Sequence, residues 1–225
     1  MKRLVFPLIL GLGGAAILVS LGVWQVQRLA WKEGVLAEIE ARIGDAPVAL
    51  PAAPSPEGDR YLPVSVSGAF TGDELHVLAS AKRLGPIYRV IAAFDAEDGR
   101  RILVDRGYIS TGAKETARPA GTATVVGNLH WPDEVDAFTP DPDVSANIWY
   151  ARDVPQMAVA LTAEPIFVVV RETTENPPSV TPLPVDTSGI PNDHLEYAVT
   201  WFGLAVVWLA MTGYLIWRRL NEDAT

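Results

Sequence analysis

The chain contains no cysteine and only three histidines, His76, His130 and His194. Without thiols there are no disulfides, no thiolate metal sites and no cysteine nucleophile. The histidines lie far apart in sequence and lack the spacing of zinc ligands. No Gly-x-Ser-x-Gly elbow is present, and no Gly-rich phosphate loop ends in Lys-Ser/Thr. Asp141-Pro142-Asp143 could approach a cation, but a lone acidic loop reads first as a solvated one. Most catalytic constellations are therefore missing, which points away from an enzyme. Basic residues are also in short supply, 18 against 27 acidic ones, for a net charge of -9. That balance argues against a nucleic-acid surface. The deficit is concentrated between Glu33 and Glu196, where 25 acidic residues face 12 basic ones.

Charge is absent altogether from two stretches, Leu4 to Trp24 and Tyr197 to Trp217, each of 21 residues. As helices, both are long enough to cross a bilayer core of about 30 Å. Trp24, Trp31, Trp201 and Trp217 stand near the expected boundaries, where amphipathic rings favour the headgroup layer. A cleaved signal peptide is the alternative for the first stretch. Its apolar run exceeds that of such segments, and no small-x-small site follows. Lys2 and Arg3 precede the first span while Arg28 and Lys32 follow it, so that span is undecided in direction. Arg218 and Arg219 directly follow the second span, with Asp193 and Glu196 before it. Basic flanks stay cytoplasmic, so both termini are expected inside and the middle outside. The expected order is a cytoplasmic N-terminus (1–3), a span (4–24), a periplasmic domain (25–196, core about 61–171), a span (197–217) and a cytoplasmic tail (218–225). A multi-pass protein of a bacterial inner membrane fits this order, because no Arg- and Ser-rich transit segment precedes the first span.

Two spans leave enough chain for one ordinary domain and too little for two. Leu29, Leu36, Ile39 and Ile43 recur at helical spacing, so the first helix should run on to about Ile43 despite Gly34. Gly44 to Asp59, rich in Pro and Ala, reads as a linker. Leu62, Val64 and Val66 alternate with Pro63, Ser65 and Ser67 as in a half-buried strand. Thr71-Gly72-Asp73 reads as a turn before a short strand around Leu75 to Ala79. Ile87 to Phe94 and Arg101 to Ile109 form a hairpin about Asp98-Gly99. Thr122 to Trp131 is a further strand, and Asp133 to Asn147 a surface loop. Asp153 caps a short helix to Leu161 with Pro155 in its first turn. Ile166 to Arg171 is a central strand, and 176–191 is Pro-rich. The fold class is thus a membrane protein whose two terminal helices bracket one β-rich, antiparallel α+β extracytoplasmic domain.

His194 stands at the expected outer end of the second span. On a helix it shares a face with Tyr197 and Trp201, and Ala198, Ala205 and Trp208 continue that face. A neutral imidazole can ligate haem iron, and aromatic neighbours can pack on a porphyrin. The competing reading is an interfacial histidine among ordinary belt aromatics.

Five motifs in order resemble the surfeit locus protein 1 family of cytochrome c oxidase assembly factors. They are Leu21-Gly22-Val23-Trp24-Gln25-Val26-Gln27-Arg28-Leu29-Ala30-Trp31-Lys32, the Tyr61 to Phe70 strand with its Gly-x-Phe, and Leu103-Val104-Asp105-Arg106-Gly107-Tyr108-Ile109. Asn147-Ile148-Trp149-Tyr150-Ala151-Arg152-Asp153 and Asn192-Asp193-His194-Leu195-Glu196-Tyr197-Ala198-Val199-Thr200-Trp201-Phe202 complete the set. The chain departs from the family pattern at Asp105 (Asn is usual), Tyr108 (Trp), Ile87-Tyr88 (Gly-Tyr) and Asp193 (Asn). The resemblance implies haem a held through His194 as iron ligand, with Tyr197, Trp201, Trp24 and Arg28 beside it. It implies as partners the oxidase catalytic subunit, the haem a synthesis enzymes and membrane lipid. Arg28 and Lys32 could pair with haem propionates or anionic lipid, or simply mark the interface. Gln25, Trp31 and Asn192 belong to the same motifs as interaction or structural positions. Arg106 and Gly107 read as a strand end and its turn, and Asn147, Trp149 and Asp153 as anchors of the short helix. The alternative to a haem a chaperone is a two-span envelope interaction or scaffold protein with no cofactor.

Overall fold

A computed structural model describes residues 2–81, 84–118, 120–175 and 179–222. Parts of the expected tails (1 and 223–225) and the start of the Pro-rich stretch (176–178) lie outside these residues. The chain divides into two compact units, one of residues 1–38 with 187–225, the other of residues 39–186.

The first unit is a pair of long helices. Helix α1 spans Lys2–Gly44 without a break at Gly34, as its apolar periodicity predicts. Its last turns, from Ile39, fall in the second unit. The final helix of the chain spans His194–Glu222. The two are long and apolar enough to cross a membrane. Their large apolar side chains, among them Phe6, Ile9, Ile17, Val199, Val206 and Met211, are exposed, so nothing in the described protein covers them. The helices run antiparallel. A Cβ on Gly11 would strike Thr212, one on Gly14 would strike the Trp208 indole, and one on Gly22 would strike the Phe202 ring. Small residues on one face let the backbones approach, which is how helices pack where lipid removes the hydrophobic drive. The Trp208 Nε1–H donates to the Gly11 carbonyl at 2.9 Å, so the one polar atom of that ring is satisfied inside the seam.

The second unit is built on strands. After β1 (Val48–Ala49) and α2 (Pro56–Asp59) come β2 (Pro63–Ala81), β3 (Gly85–Ala96), β4 (Arg101–Ser110) and β5 (Gly121–Leu129). Helix α3 (Val154–Ala160) and β6 (Phe167–Thr173) follow, so the final helix is α4. Strands pair in the order β1-β2-β3-β4-β6-β5, and β5 pairs back onto β2, so β2 to β6 close into a five-stranded barrel. The sheet is mixed, which corrects the antiparallel expectation. β4 and β6 are parallel, as are β1 and β2. A parallel neighbour needs a long crossover, and the chain between β4 and β6 supplies one through β5 and α3.

Period-two alternation sorts the side chains. Val64, Val66, Phe94, Ile102, Val104, Val125, Val168 and Val170 point together into the barrel. Their sequence neighbours Leu103, Phe167 and Val169 point outward and are covered by Val154, Met157, Ala158 and Leu161 of α3. Burying a side chain such as Phe167 or Met157 contributes roughly 1.5–3 kcal/mol. The Asp153 carboxylate accepts from the Gln156 N–H at 3.0 Å, capping α3 as expected. The β3–β4 hairpin turns at Gly99, whose φ is 89°.

Three local expectations change. Thr71-Gly72-Asp73 is not a turn between strands but a register shift inside a continuous β2, which lets one strand pair with both β5 and β3. The 44–59 linker is packed, with Leu50 against the core and Arg100 donating to the Leu50 and Pro51 carbonyls. Arg106 and Gly107 are not a strand end. β4 continues to Ser110, with a bulge where Gly107 pairs Val90 and Asp105 pairs Ile91, leaving Arg106 unpaired between them.

Candidate functional site

The motif residues of the two ends meet in the helical pair. The imidazole Nδ1 of His194 lies 2.7 Å from Oε1 of Gln25, 169 positions away in sequence. Gln25 is 8 % exposed and His194 half-buried. Among the described residues, no hydrogen bond is made at His194 Nε2. The Lys32 ammonium donates to the Pro191 carbonyl, a second tie between α1 and the entry to α4. Asn192 Oδ1 is buried with no hydrogen-bond partner among the described residues.

The other candidates divide between the seam and its flank. Ala198 and Ala205 are buried, lying on the seam between the Gln25–His194 and Gly11–Thr212 contacts. The inner part of the face shared by His194 and Trp208 is thus occupied by helix pairing. Trp201 is half-buried, while Tyr197 and Trp24 are 54 % and 51 % exposed. At 3.6 residues per turn, Arg28 lies roughly 60° round α1 from Gln25, and Tyr197 roughly 60° round α4 from His194, in the same sense. For antiparallel helices this places both on one flank of the pair. The Arg28 guanidinium stacks 4.4 Å over the Trp31 ring, a cation–π contact that holds the charge beside that indole. Lys32 is engaged as a helix tie. Sequence reading placed Gln25 and His194 in separate motifs and missed that they bond. It also passed over Gly11, Gly14 and Gly22, whose spacing on one helix face was the available signal.

The remaining motif positions lie in the barrel and hold it together. Asp105 is fully buried, accepting from Arg89 Nε at 2.8 Å and from the Gly107 N–H at 3.1 Å. Arg152 lies 3.5 Å from the same carboxylate and grips Glu134 with its other nitrogens. Burial pushes the Glu134 carboxyl up, but hydrogen bonds from Arg152 outweigh it and leave it below the usual carboxylate range. Arg106 donates to Glu175 and Ser179 and stacks 4.2 Å over Phe70. Asn147 donates to the Glu74 carbonyl, and Trp149 exchanges backbone bonds with β2 through His76 and Leu78 while packing under α3. His76 Nε2 lies 2.8 Å from Glu74 and 3.0 Å from Arg118, and its Nδ1 is buried without a partner among the described residues. Burial raises the Glu74 carboxyl, yet bonds from His76 and Arg118 prevail and hold it at about 2. His130 stacks on Tyr61, and burial, aided by the charges of Arg152 and Arg60, lowers its imidazole to about 4. These contacts explain Arg106, Gly107, Asn147, Trp149 and Asp153 as parts of the barrel's framework.

Residues 12–206 match the SURF1 family. The chain belongs to that family. It is 30 % identical to human surfeit locus protein 1 over 224 residues, covering 89 % of this chain and 73 % of the relative. It is 31 % identical to the Xenopus tropicalis protein of the same name over 220 residues, 87 % of this chain and 70 % of the relative. A SURF1-like protein of Rickettsia conorii is 28 % identical over 213 residues, 90 % of this chain and 87 % of the relative. The matched span of this SURF1-family chain includes the barrel, Gln25 and His194, most of the first apolar helix and the second as far as residue 206.

The residues at the helical pair are of the kinds that would hold a haem. A neutral imidazole bonded through Nδ1 keeps its other lone pair for a metal. The open aromatic flank offers apolar surface for a porphyrin, and Arg28 offers a cation near that flank. Among the described residues, no group of three or more His, Cys, Asp or Glu gathers for a bare metal ion.

Proposed function

We propose that the protein is a membrane-anchored assembly factor for haem a-containing cytochrome c oxidase, a binding protein rather than an enzyme. In this reading both helices span a bacterial inner membrane, with the barrel in the periplasm and both termini in the cytoplasm. It binds haem a at the outer membrane face through His194, and delivers it to the oxidase catalytic subunit. The haem synthesis enzymes are its upstream partners. The observation that carries the reading is the His194 imidazole. It sits at the end of an apolar helix, held at Nδ1 by Gln25 and, among the described residues, with no hydrogen bond at Nε2. Bound haem a would supply the iron centre, while the chain's own residues bind and orient it. His194 would supply a nitrogen ligand, Tyr197, Trp201 and Trp24 the apolar contact, and Arg28 a counter-charge for the propionates. SURF1 family membership and the missing catalytic motifs support the assembly role.

The test is His194→Ala, co-expressed with the enzymes that make haem a. The variant is expected to insert and fold, because a half-buried side chain leaves no deep cavity. Its haem content and Soret band should fall by at least about tenfold. Tyr197→Ala and Trp201→Ala should lose less, since they pack without ligating. Full haem occupancy with an unchanged spectrum in His194→Ala would remove His194 as the ligand.

A further inference from the structure

We propose that Gln25 is the positioning residue of this site. Its side-chain oxygen holds the proton of His194 on Nδ1 and so presents Nε2, as a neutral imidazole nitrogen, to the haem iron. The inference rests on the haem reading of His194 and adds a residue from the other helix to it.

The geometry has three parts. A Gln Oε1 can only accept, so the 2.7 Å contact makes Nδ1 the donor and fixes one tautomer. Gln25 is more than nine-tenths buried, so water has little access to compete for the carboxamide. The bond joins two helices whose approach is set on both sides. One turn before Gln25, Gly22 admits the Phe202 ring, and two turns after it Lys32 holds the Pro191 carbonyl. The ring therefore cannot turn about its χ angles without breaking a bond that the helix seam maintains.

Two consequences follow for metal binding. An imidazole fixed through its second nitrogen loses less rotamer freedom on ligation, and its outer partner sets ligand basicity. A neutral carboxamide leaves Nε2 less electron-rich than a carboxylate partner would. Haem held this way is retained yet releasable, as a delivery protein needs. Ligand presentation also depends on helix pairing, because donor and acceptor come from opposite ends of the chain.

The experiment compares full-length Gln25→Leu, Gln25→Glu and His194→Ala, purified from cells that make haem a. Three quantities are read: the Soret and reduced α-band positions, the midpoint potential, and the rate of haem transfer to apomyoglobin. Gln25→Leu keeps the size and removes the acceptor. It is expected to release haem roughly 10–100-fold faster, with a shifted Soret band. Gln25→Glu keeps an acceptor and makes it anionic. It should keep its haem and shift the midpoint potential downward, a change that a purely structural role for Gln25 would not produce. Wild-type release and spectrum in Gln25→Leu overturn the inference and leave the His194 reading intact. If Gln25→Leu fails to accumulate, the potential of Gln25→Glu decides, and an unshifted value overturns the inference. Full haem in His194→Ala overturns the haem reading itself.

Discussion

The carbonyl oxygen of Thr181 occupies the space into which a side chain at position 107 would project. Gly107 also has a φ of 117°, a backbone state that side chains disfavour. Tyr108 and Thr181 exchange backbone hydrogen bonds of 2.8 and 3.1 Å, strapping the chain after β6 onto β4. Gly107→Ala is therefore expected to cost about 2–4 kcal/mol, from strain and from lifting the strap. Urea unfolding of the detergent-solubilised protein, followed by tryptophan fluorescence, checks this. A midpoint equal to that of the parent would show that the strap yields freely.

Asp105 is buried between Arg89 and Arg152. Removing its charge leaves two guanidiniums with no common partner inside the fold. Asp105→Leu should destabilise by about 3–5 kcal/mol. Asp105→Asn keeps the acceptor for Arg89 and the Gly107 N–H, and should cost clearly less. The order of the two melting temperatures is the readout. Equal losses would mean that shape, not the buried acceptor, matters at this position.

Acid should weaken the barrel in two stages. An unfolded chain protonates its histidine near 6.5, whereas folded His130 resists until about 4, so stability present above 6.5 is lost as pH falls across that window. Glu74 is ionised in the fold down to about 2, against 4.5 ordinarily, so its contribution is full above 4.5 and declines below it. Melting temperature against pH should fall in both windows. His130→Phe, which preserves the stacking on Tyr61, should flatten the upper stage only. An unchanged slope between pH 6.5 and 4 in that variant would exclude His130 as its source.

The proposed orientation rests on Arg218 and Arg219 after the second apolar helix, against Asp193 and Glu196 before it. Alkaline phosphatase fused after Thr225 should be inactive, and fused within the 133–143 loop should be active. The reverse pattern would place the barrel in the cytoplasm and remove the proposed route to the oxidase.

Much of the local structure was legible because it rests on short-range chemistry. Uncharged runs identified both apolar helices, since the missing charges are adjacent in sequence. Asp153 and Pro155 marked the start of α3, and Asp98-Gly99 marked the β3–β4 hairpin, because caps and turns depend on a few consecutive residues. The register shift at Thr71 to Asp73 was read as a turn because Gly between polar residues serves both. Only the partner strands distinguish them, with β5 and β3 dividing one continuous β2. At the candidate site, His194 and its helical face could be found from spacing. That Ala198 and Ala205 are taken up by helix packing could not, because it depends on which face α1 covers.

The sequence alone therefore determined the two apolar helices, the β character of the middle, the motif residues and the family they resemble. Each of these is carried by neighbours along the chain or by the order of motifs. The tertiary structure decided the closure of the sheet into a barrel, the parallel pairing of β4 with β6, and the structural duties of Asp105, Arg106 and Gly107. It also decided that Gln25 meets His194. Contacts across 169 residues are set by the packing of whole elements, by small residues that let helices approach and by buried polar atoms that must find partners. No local pattern encodes which distant residue will satisfy them.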